Sequence, residues 1–281
     1  MMARIAATIA AALWCTSTTA AEAAAAGAAV TDAAMTAAAA PVDAFDFAPF
    51  GSVTVYRDGA EPREVVLFLS GDGGWNLGVI AMAKRLADKG AVVAGIDIRH
   101  YLEQLEQSSG KCVSPAADFD NLSRYLQSKL RFNHPLRPTL VGYSSGATLV
   151  YAALAEAPQG SFKGALSLGF CPDLDLKKPL CRGTGIEATP RRNTRGTLMG
   201  VDLKPAKQLS GKWISLQGEI DQVCPARATQ EFIAAVPGGD MVLLPRVGHG
   251  YSVEKNWVPQ YEAAYERITA APAPVTTPPK Y

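Results

Sequence analysis

The sequence predicts an α/β fold in which helices cover both faces of a mostly parallel sheet. Two observations support this prediction. Short apolar runs rich in β-branched residues alternate with amphipathic stretches through most of the 281 residues, and strands that alternate with helices indicate parallel pairing. The apolar runs are also nearly continuous, which is typical of strands that are buried on both faces.

The predicted elements follow one another from residue 53 to residue 268. We expect strands at the apolar runs 53–56, 65–69, 91–98, 139–143, 165–170, 213–217 and 241–244. We expect helices over 79–89, 114–130, 147–157, 226–236 and 257–268. Pro115 suits a helix start, because the first turn leaves its N–H groups unpaired and proline has none. Active sites of such sheets lie at the carboxyl ends of the strands.

Residues 1–20 have the pattern of a secretory signal peptide. Arg4 supplies a positive charge, residues 5–14 are apolar and uncharged, and small residues follow with cleavage points such as Thr18-Thr19-Ala20. We therefore expect the protein to be secreted. The alternative interpretation is a frayed, Ala-rich helix of a cytosolic protein.

The rest of the chain divides into three parts. We expect an Ala-rich tether over 21–44, one α/β domain over 45–270, and a disordered Pro-rich tail over 271–281 that favours polyproline II. A domain of this length is ordinary. Within it, residues 171–211 form a long connection between two predicted strands, and we expect this segment to be a cap-like insertion.

The charge balance excludes some partners. Without Arg4, which is one of 27 basic residues, the chain balances its 26 acidic residues, so the sequence gives no basis for broad nucleic-acid binding. No later apolar stretch is long enough to span a bilayer. We expect a monomer that uses no cofactor. We also expect no metal site, since no Cys-x-x-Cys pair or zinc-ligand spacing is present.

Residues 142–146 read Gly-Tyr-Ser-Ser-Gly, a G-x-S-x-G pattern. An apolar run enters it and a helical run leaves it, which is the strand–turn–helix context of the nucleophile elbow in α/β-hydrolases. Gly142 and Gly146 leave room for the tight turn around Ser144, whereas Ser145 has no glycines at those offsets. We predict the α/β-hydrolase fold with Ser144 as nucleophile. The alternative is a glycine-lined helix start packed against the sheet.

A serine nucleophile needs a base, and the chain has three histidines. His134 precedes the nucleophile strand and therefore lies at the amino end of the sheet. His100 comes before Ser144 in the chain, but this fold orders its triad as Ser, acid, His. His249 follows the last strand on a glycine-flanked loop, so we predict it as the base.

The acid of the triad should follow the penultimate strand. Asp221 lies just beyond the strand at 213–217, where it can accept the imidazole N–H and stabilise the imidazolium. Glu219 is a nearby rival. Asp173 and Asp175, which follow the preceding strand, occupy an alternative acid position of this fold.

The tetrahedral oxyanion needs preorganised donors. We expect one to be the backbone N–H of Ser145, at the start of the following helix. The second should come from the glycine-rich loop 70–75, at Asp72 or Gly73, because its glycines allow close backbone approach. The loop lacks the phosphate-binding patterns G-x-G-x-x-G and G-K-[ST]. Asp97 ends another strand, and we predict a structural acid that pairs with Arg99.

Four of the five cysteines remain after signal cleavage, and an even number in an exported chain indicates two disulfides with three connectivities. We predict that Cys171 pairs with Cys181, which is close in sequence. Cys112 and Cys224 would then pair across neighbouring loops and brace the segment that carries Asp221.

The insertion 171–211 is locally basic. We expect it to stand over the nucleophile and to face an anionic phospholipid surface; the alternative is a solvated loop. Against one acid, Glu187, its middle holds six basic residues: Lys177, Lys178, Arg182, Arg191, Arg192 and Arg195.

Taken together, these motifs resemble the VirJ/AcvB bacterial virulence-protein family of the α/β-hydrolase superfamily. The similarity covers about residues 53–268 and depends on the loop 70–75, the elbow, Asp221 with Cys224, and Gly248-His249. It implies a periplasmic enzyme that hydrolyses aminoacylated phosphatidylglycerol at a membrane surface, with Ser144, Asp221 and His249 as the triad.

The resemblance also permits other functions. One alternative is a non-catalytic periplasmic protein that binds or escorts secretion partners, with contact to a secretion system. Another is a general lipase or esterase that acts on a lipid or a small ester.

Overall fold

The computed structural model describes residues 42–59, 61–183 and 185–270. The predicted signal peptide, residues 21–41 of the predicted tether and the Pro-rich tail lie outside these ranges. No helix in the described part is both long and apolar enough to cross a membrane.

The described strands form a large sheet and a small one. In chain order they are β1 (Val42–Phe47), β2 (Gly51–Tyr56), β3 (Glu64–Leu69), β4 (Ala91–Ile96), β5 (Thr139–Tyr143), β6 (Gly164–Leu168), β7 (Asp173–Leu174), β8 (Ala188–Arg192), β9 (Leu198–Leu203), β10 (Lys212–Gly218) and β11 (Gly239–Leu244). The large sheet has the order β1-β2-β4-β3-β5-β6-β10-β11, and the small one β7-β9-β8. From β4 to β11 every pair is parallel, which confirms the predicted fold class.

Helices pack on both faces of the large sheet. They are α1 (Leu77–Ala87), α2 (Ile98–Gln107), α3 (Pro115–Lys129), α4 (Ser145–Glu156), α5 (Ala226–Ala234) and α6 (Val258–Thr269). Residues of α2 to α5, such as Phe119, Leu149 and Phe232, form the core on one face. Residues of α1 and α6, such as Leu86 and Tyr261, form the core on the other. Most elements lie within three residues of their predicted bounds.

Helix α2 and strand β1 were not predicted. Helix α2 is rich in polar residues, and it buries only Ile98, Tyr101 and Leu105, which share one face. Strand β1 begins at residue 42, inside the segment that we expected to be tether, and pairs antiparallel with β2. Residues 42–44, which we expected to be tether, therefore belong to this strand.

The insertion packs beside α4. Its small antiparallel sheet buries Leu174, Val201 and Leu203 in the core cluster that includes α4. The Tyr151 hydroxyl of α4 donates to the carbonyl of Lys204 (3.1 Å) and accepts from the N–H of Ala206 (2.8 Å). These contacts hold the insertion along the side of the helix that follows the nucleophile.

The four cysteines in the described part of the chain all form disulfides, but our predicted pairing was wrong. The bonds join Cys112 to Cys181 and Cys171 to Cys224. The Cys181 N–H donates to the carbonyl of Val113 (2.8 Å). This hydrogen bond places the part of the insertion around Cys181 beside Cys112. Cys171 and Cys224 follow β6 and β10, which are neighbours in the sheet. Two disulfides are typical of an oxidising compartment.

Candidate active site

Ser144 occupies a strained turn between β5 and α4. Its backbone φ is 55° and its ψ is −123°, a left-handed conformation that is costly for a residue other than glycine. A Cβ at Gly142 would overlap the carbonyl of Gly146, and a Cβ at Gly146 would overlap the carbonyl of Ser70. The two glycines are therefore required by the close approach of backbone on either side of Ser144, as the motif predicts.

Ser144, His249 and Asp221 form a continuous line of hydrogen bonds. Ser144 Oγ lies 2.9 Å from His249 Nε2, and His249 Nδ1 lies 2.8 Å from Asp221 Oδ2. When Nδ1 carries the proton and donates it to the carboxylate, Nε2 is free to accept from the serine hydroxyl. The Asp221 side chain has no exposed surface, while that of His249 is 17% exposed, so one edge of the imidazole reaches the cleft.

The Asp221 carboxylate is held from several sides. Its Oδ1 accepts from the N–H groups of Val223 (2.9 Å) and Cys224 (2.8 Å), and its Oδ2 also accepts from Gln217 Nε2 (3.2 Å). Burial raises the pKa of this carboxyl, but the hydrogen bonds from His249 and from these two N–H groups, with the attraction of His249, outweigh burial and leave the pKa below its ordinary value. Asp221 is therefore a carboxylate at neutral pH.

The loop that carries His249 is fixed by two tyrosines. The Tyr143 hydroxyl donates to the carbonyl of His249 (2.8 Å), and its ring lies 5.6 Å from the imidazole between centroids. The Tyr251 hydroxyl donates to the carbonyl of Leu216 in β10 (2.6 Å). Burial raises the pKa of Tyr251 well above its ordinary value, which keeps this hydroxyl a donor. Gly169 has a φ of 64° and passes close to the imidazole, where a Cβ would stand 3.2 Å from it.

The rival acids have other partners. Glu219 is exposed and accepts from the N–H of Arg246 (3.2 Å). Asp173 and Asp175 both form ion pairs with Arg191 in the small sheet.

The other acid and base candidates also lie apart from Ser144. His100 and His134 are exposed, and the hydroxyl of Ser144 bonds to His249. Asp97 pairs with Arg99 (2.7 Å) and accepts from the N–H of Trp75 (3.3 Å), which confirms its predicted structural role. The hydrogen bond from Arg99 is the main reason why the pKa of Asp97 is lowered.

The predicted oxyanion donors lie beside the nucleophile. Ser145 is the first residue of α4, and within the described residues no acceptor is bonded to the backbone N–H groups of Ser145, Asp72 or Gly73. The glycine-rich loop touches the elbow directly, because a Cβ at Gly71 would stand 2.8 Å from that of Ser144. The two segments that carry these N–H groups therefore meet at the elbow, and Asp72, Gly73 and Ser144 line the same cleft.

An open cleft of about 390 Å³ lies at the triad. Its lining consists of Asp72, Gly73, Asn76, Gly78, Val79, Met82, Tyr143, Ser144, Val223, His249 and Gly250. None of these residues belongs to the insertion 171–211. The expectation that this segment stands over the nucleophile is therefore wrong for its described residues, because the insertion uses its apolar side chains to pack against α4.

One group of side chains has the spacing of a metal site. Ligand atoms of Asp221, Cys224 and His249 lie within 4.8 Å of one another. The sulfur of Cys224 is bonded to Cys171, so it cannot supply the thiolate that a metal would bind. The three residues are therefore close together because Asp221 and His249 belong to the triad and Cys224 forms a disulfide beside them.

Sequence reasoning missed three contributors to the site. Gln217 is buried near the end of β10 and donates to both Asp221 and the carbonyl of Cys224 (2.6 Å). A polar residue at the end of an otherwise apolar strand is the signal that could have identified it. Tyr143 and the side chain of Asp72 stand inside recognised motifs, but the motifs assign roles only to their serine, glycines and backbone.

Comparison with known proteins supports part of this interpretation. Residues 63–170 match the model of a family described as bacterial virulence protein (VirJ). This segment is therefore similar to that family. It includes the glycine-rich loop and the nucleophile elbow, and it confirms the resemblance that the motifs indicated. It ends before Asp221 and His249. No curated protein matches this chain in sequence.

Solved structures of hydrolases share the fold at low sequence identity. A putative dienelactone hydrolase from Klebsiella pneumoniae is 15% identical, with a TM-score of 0.55 over 83% of this chain and 100% of that one. An esterase from Thermogutta terrifontis is 16% identical, with a TM-score of 0.53 over 84% and 97%. A puromycin-hydrolysing peptidase from Mycobacterium tuberculosis is 16% identical, with a TM-score of 0.56 over 82% and 40%. These likenesses show the α/β-hydrolase fold.

Proposed function

We propose that this chain is an exported serine hydrolase that cleaves carboxylic esters. Ser144 is the nucleophile, His249 is the base and then the acid, and Asp221 orients the imidazole. The observation that carries the proposal is the line of hydrogen bonds from Ser144 to His249 (2.9 Å) and from His249 to Asp221 (2.8 Å) on a strained elbow. Strain at a functional turn is maintained only where the surrounding structure enforces it.

The reaction follows from the positions of these atoms. As Ser144 Oγ attacks the ester carbonyl, its proton passes to His249 Nε2, and the carboxylate of Asp221 stabilises the imidazolium that forms. The N–H of Ser145 and an N–H of Asp72 or Gly73 stabilise the oxyanion. His249 then returns the proton to the leaving alcohol, which leaves an acyl group on Ser144. Water, activated by the same imidazole, releases the acid.

For the natural substrate we propose aminoacylated phosphatidylglycerol, met at the outer face of the inner membrane. Support comes from the VirJ match and from the open cleft, which lets a substrate approach without a cap being moved. The two disulfides fit a periplasmic location. We also propose that the enzyme is a monomer and that its partner is a lipid or a small ester substrate.

A pair of serine variants tests the hydrolase proposal. Ser144→Ala should lower the kcat of the purified protein on a short p-nitrophenyl ester by about 10³-fold or more, because it removes the attacking atom. Ser109→Ala, an exposed serine outside the cleft, should change it little. If the wild type does not hydrolyse the ester, the enzyme proposal fails and a binding or escort role takes its place.

Vesicles test the substrate. Release of lysine from vesicles that contain lysyl-phosphatidylglycerol should depend on Ser144, and phosphatidylglycerol vesicles should yield no fatty acid. Release of fatty acid at a similar rate from both would instead indicate a general lipase.

A further inference from the structure

Among the described residues that line the cleft beside Ser144, Asp72 supplies the one carboxylate and His249 the one basic side chain. Asp72 is exposed and lines the cleft, and no Lys or Arg appears among the lining residues. Asp72 forms no ion pair within the described part of the chain. Arg99, which contacts the same loop at Gly74, is paired with Asp97 (2.7 Å). The charge of Asp72 is therefore available to a group that enters the cleft.

This carboxylate is bonded to the residue that follows the nucleophile, and it lines the same cleft as Ser144 and His249. Its Oδ1 accepts a hydrogen bond of 2.6 Å from the Ser145 hydroxyl, and the backbone N–H of the same Ser145 is a proposed oxyanion donor. A negative charge beside the oxyanion site opposes the negative charge that develops on the carbonyl oxygen. An uncharged acyl group gains nothing from this position of Asp72, whereas a positively charged group next to the carbonyl would compensate for it.

We infer that Asp72 binds an ammonium group on the acyl part of the substrate and thereby selects aminoacyl esters over uncharged esters. The inference rests on the proposed hydrolase function. In an α-aminoacyl ester, one carbon separates the ammonium from the carbonyl carbon, so the ammonium can reach a carboxylate beside the oxyanion donors. Asp72 is thus a specificity residue that makes no covalent bond. Its ion pair also holds the carbonyl towards the N–H of Ser145.

A purely structural role for Asp72 makes a different prediction. The hydrogen bond from Ser145 joins the glycine-rich loop to the start of α4, and an acid near a helix N-terminus is favourable in itself. Asp72→Asn keeps an oxygen that can accept from Ser145 but removes the charge. Asp72→Glu keeps the charge on a longer side chain. The two variants therefore separate the charge from the hydrogen bond.

Two esters of the same shape measure the preference. L-alanine ethyl ester and ethyl 2-methylpropanoate differ in that a methyl group replaces the ammonium. The quantity to compare is the ratio of their kcat/KM values in each variant, because the intrinsic reactivities of the esters cancel between variants. For an exposed ion pair we expect Asp72→Asn to lower this ratio about fivefold, mainly through the KM of the charged ester.

Asp72→Glu should retain most of the preference, and added salt should weaken it in the wild type. Glu231→Gln, which removes an exposed acid of α5 that does not line the cleft, should leave the ratio unchanged. A ratio within twofold of the wild type in Asp72→Asn, or an equal loss for both esters, overturns the inference while the hydrolase proposal stands. Failure of the wild type on both esters overturns the hydrolase proposal, and the inference with it.

Discussion

Two regions of the molecule differ in how well the sequence predicts which residues meet. One is the edge of the large sheet that carries the triad, and the other is the insertion beside α4. Ser144, Asp221 and His249 are far apart in the chain, yet they meet because each follows a strand of the same parallel sheet. Cys171 and Cys181 are only ten residues apart, yet each bonds to a distant cysteine. In a parallel sheet, chain order and strand ends determine position. In the insertion, which has an antiparallel sheet and irregular loops, nearness in sequence does not show which cysteines pair.

The same difference applies to charge. At the triad, the one buried acid has the partners that its role requires. In the insertion, Arg191 is a member of the basic cluster in the sequence, but it forms ion pairs with Asp173, Asp175 and Asp202. Two of these acids lie before the basic stretch and one lies after it, so a count within the stretch alone overestimates its free positive charge.

We expect the largest effect from removing the disulfides, which connect the insertion to the rest of the domain. Replacing either pair with alanine should lower the free energy of unfolding by about 2–4 kcal/mol, because the unfolded chain gains freedom. Only loss of Cys171–Cys224 should also lower kcat, since the N–H of Cys224 donates to Asp221. Urea unfolding and ester kinetics of the two double variants measure both effects. An equal loss of kcat in both would contradict the assignment of different roles to the two bonds.

A smaller effect is expected from the insertion's ion pairs. Arg191→Ala should lower the free energy of unfolding by about 1 kcal/mol, since three acids lose a partly exposed partner. Arg195→Ala, an exposed arginine of the same stretch whose side chain has no ion pair in the described residues, should change it by less than about 0.5 kcal/mol. Thermal unfolding compares the two. Equal effects would mean that the ion pairs contribute nothing.

Arg191 also changes how membrane docking should be tested. Because its charge is already balanced, the proposed attraction to anionic lipid must depend on the other basic residues, such as Arg192 and Arg195. Reversing Arg191 would place an acid among three others and confuse docking with instability.

The smallest expected effect is a pH dependence at the triad. The pKa of Asp221 is lower in the folded protein than in the unfolded chain, where it is about 3.9. Its ionised form therefore adds stability that is complete above the unfolded pKa and is lost as the pH falls through the folded pKa. The stability difference between wild type and Asp221→Asn should shrink from pH 6 towards pH 3 in urea unfolding. A difference that grows on acidification would contradict the lowered pKa.

The sequence was sufficient for the fold class and for choosing three residues that the structure brings together. The glycines around Ser144, the strand ends and the order of the three residues are local or topological features, and each is visible in the chain. The small sheet of the insertion was not predicted. Strand β7 has only two residues and β8 is mostly exposed, so neither shows the apolar run of a buried strand, although β9 has six residues and buries Val201 and Leu203. The contacts of Gln217 and of the Asp72 side chain depend on tertiary neighbours that no spacing encodes.

The central claim is that His249 activates Ser144 as a nucleophile, and a fluorophosphonate probe tests it most directly. Intact mass and peptide mapping of the labelled protein should find one adduct, on Ser144. Ser144→Ala should take none, His249→Ala should be labelled at least about 10²-fold more slowly, and His134→Ala should match the wild type. Absence of labelling in the wild type, or an adduct on Ser145 in its place, would contradict the account.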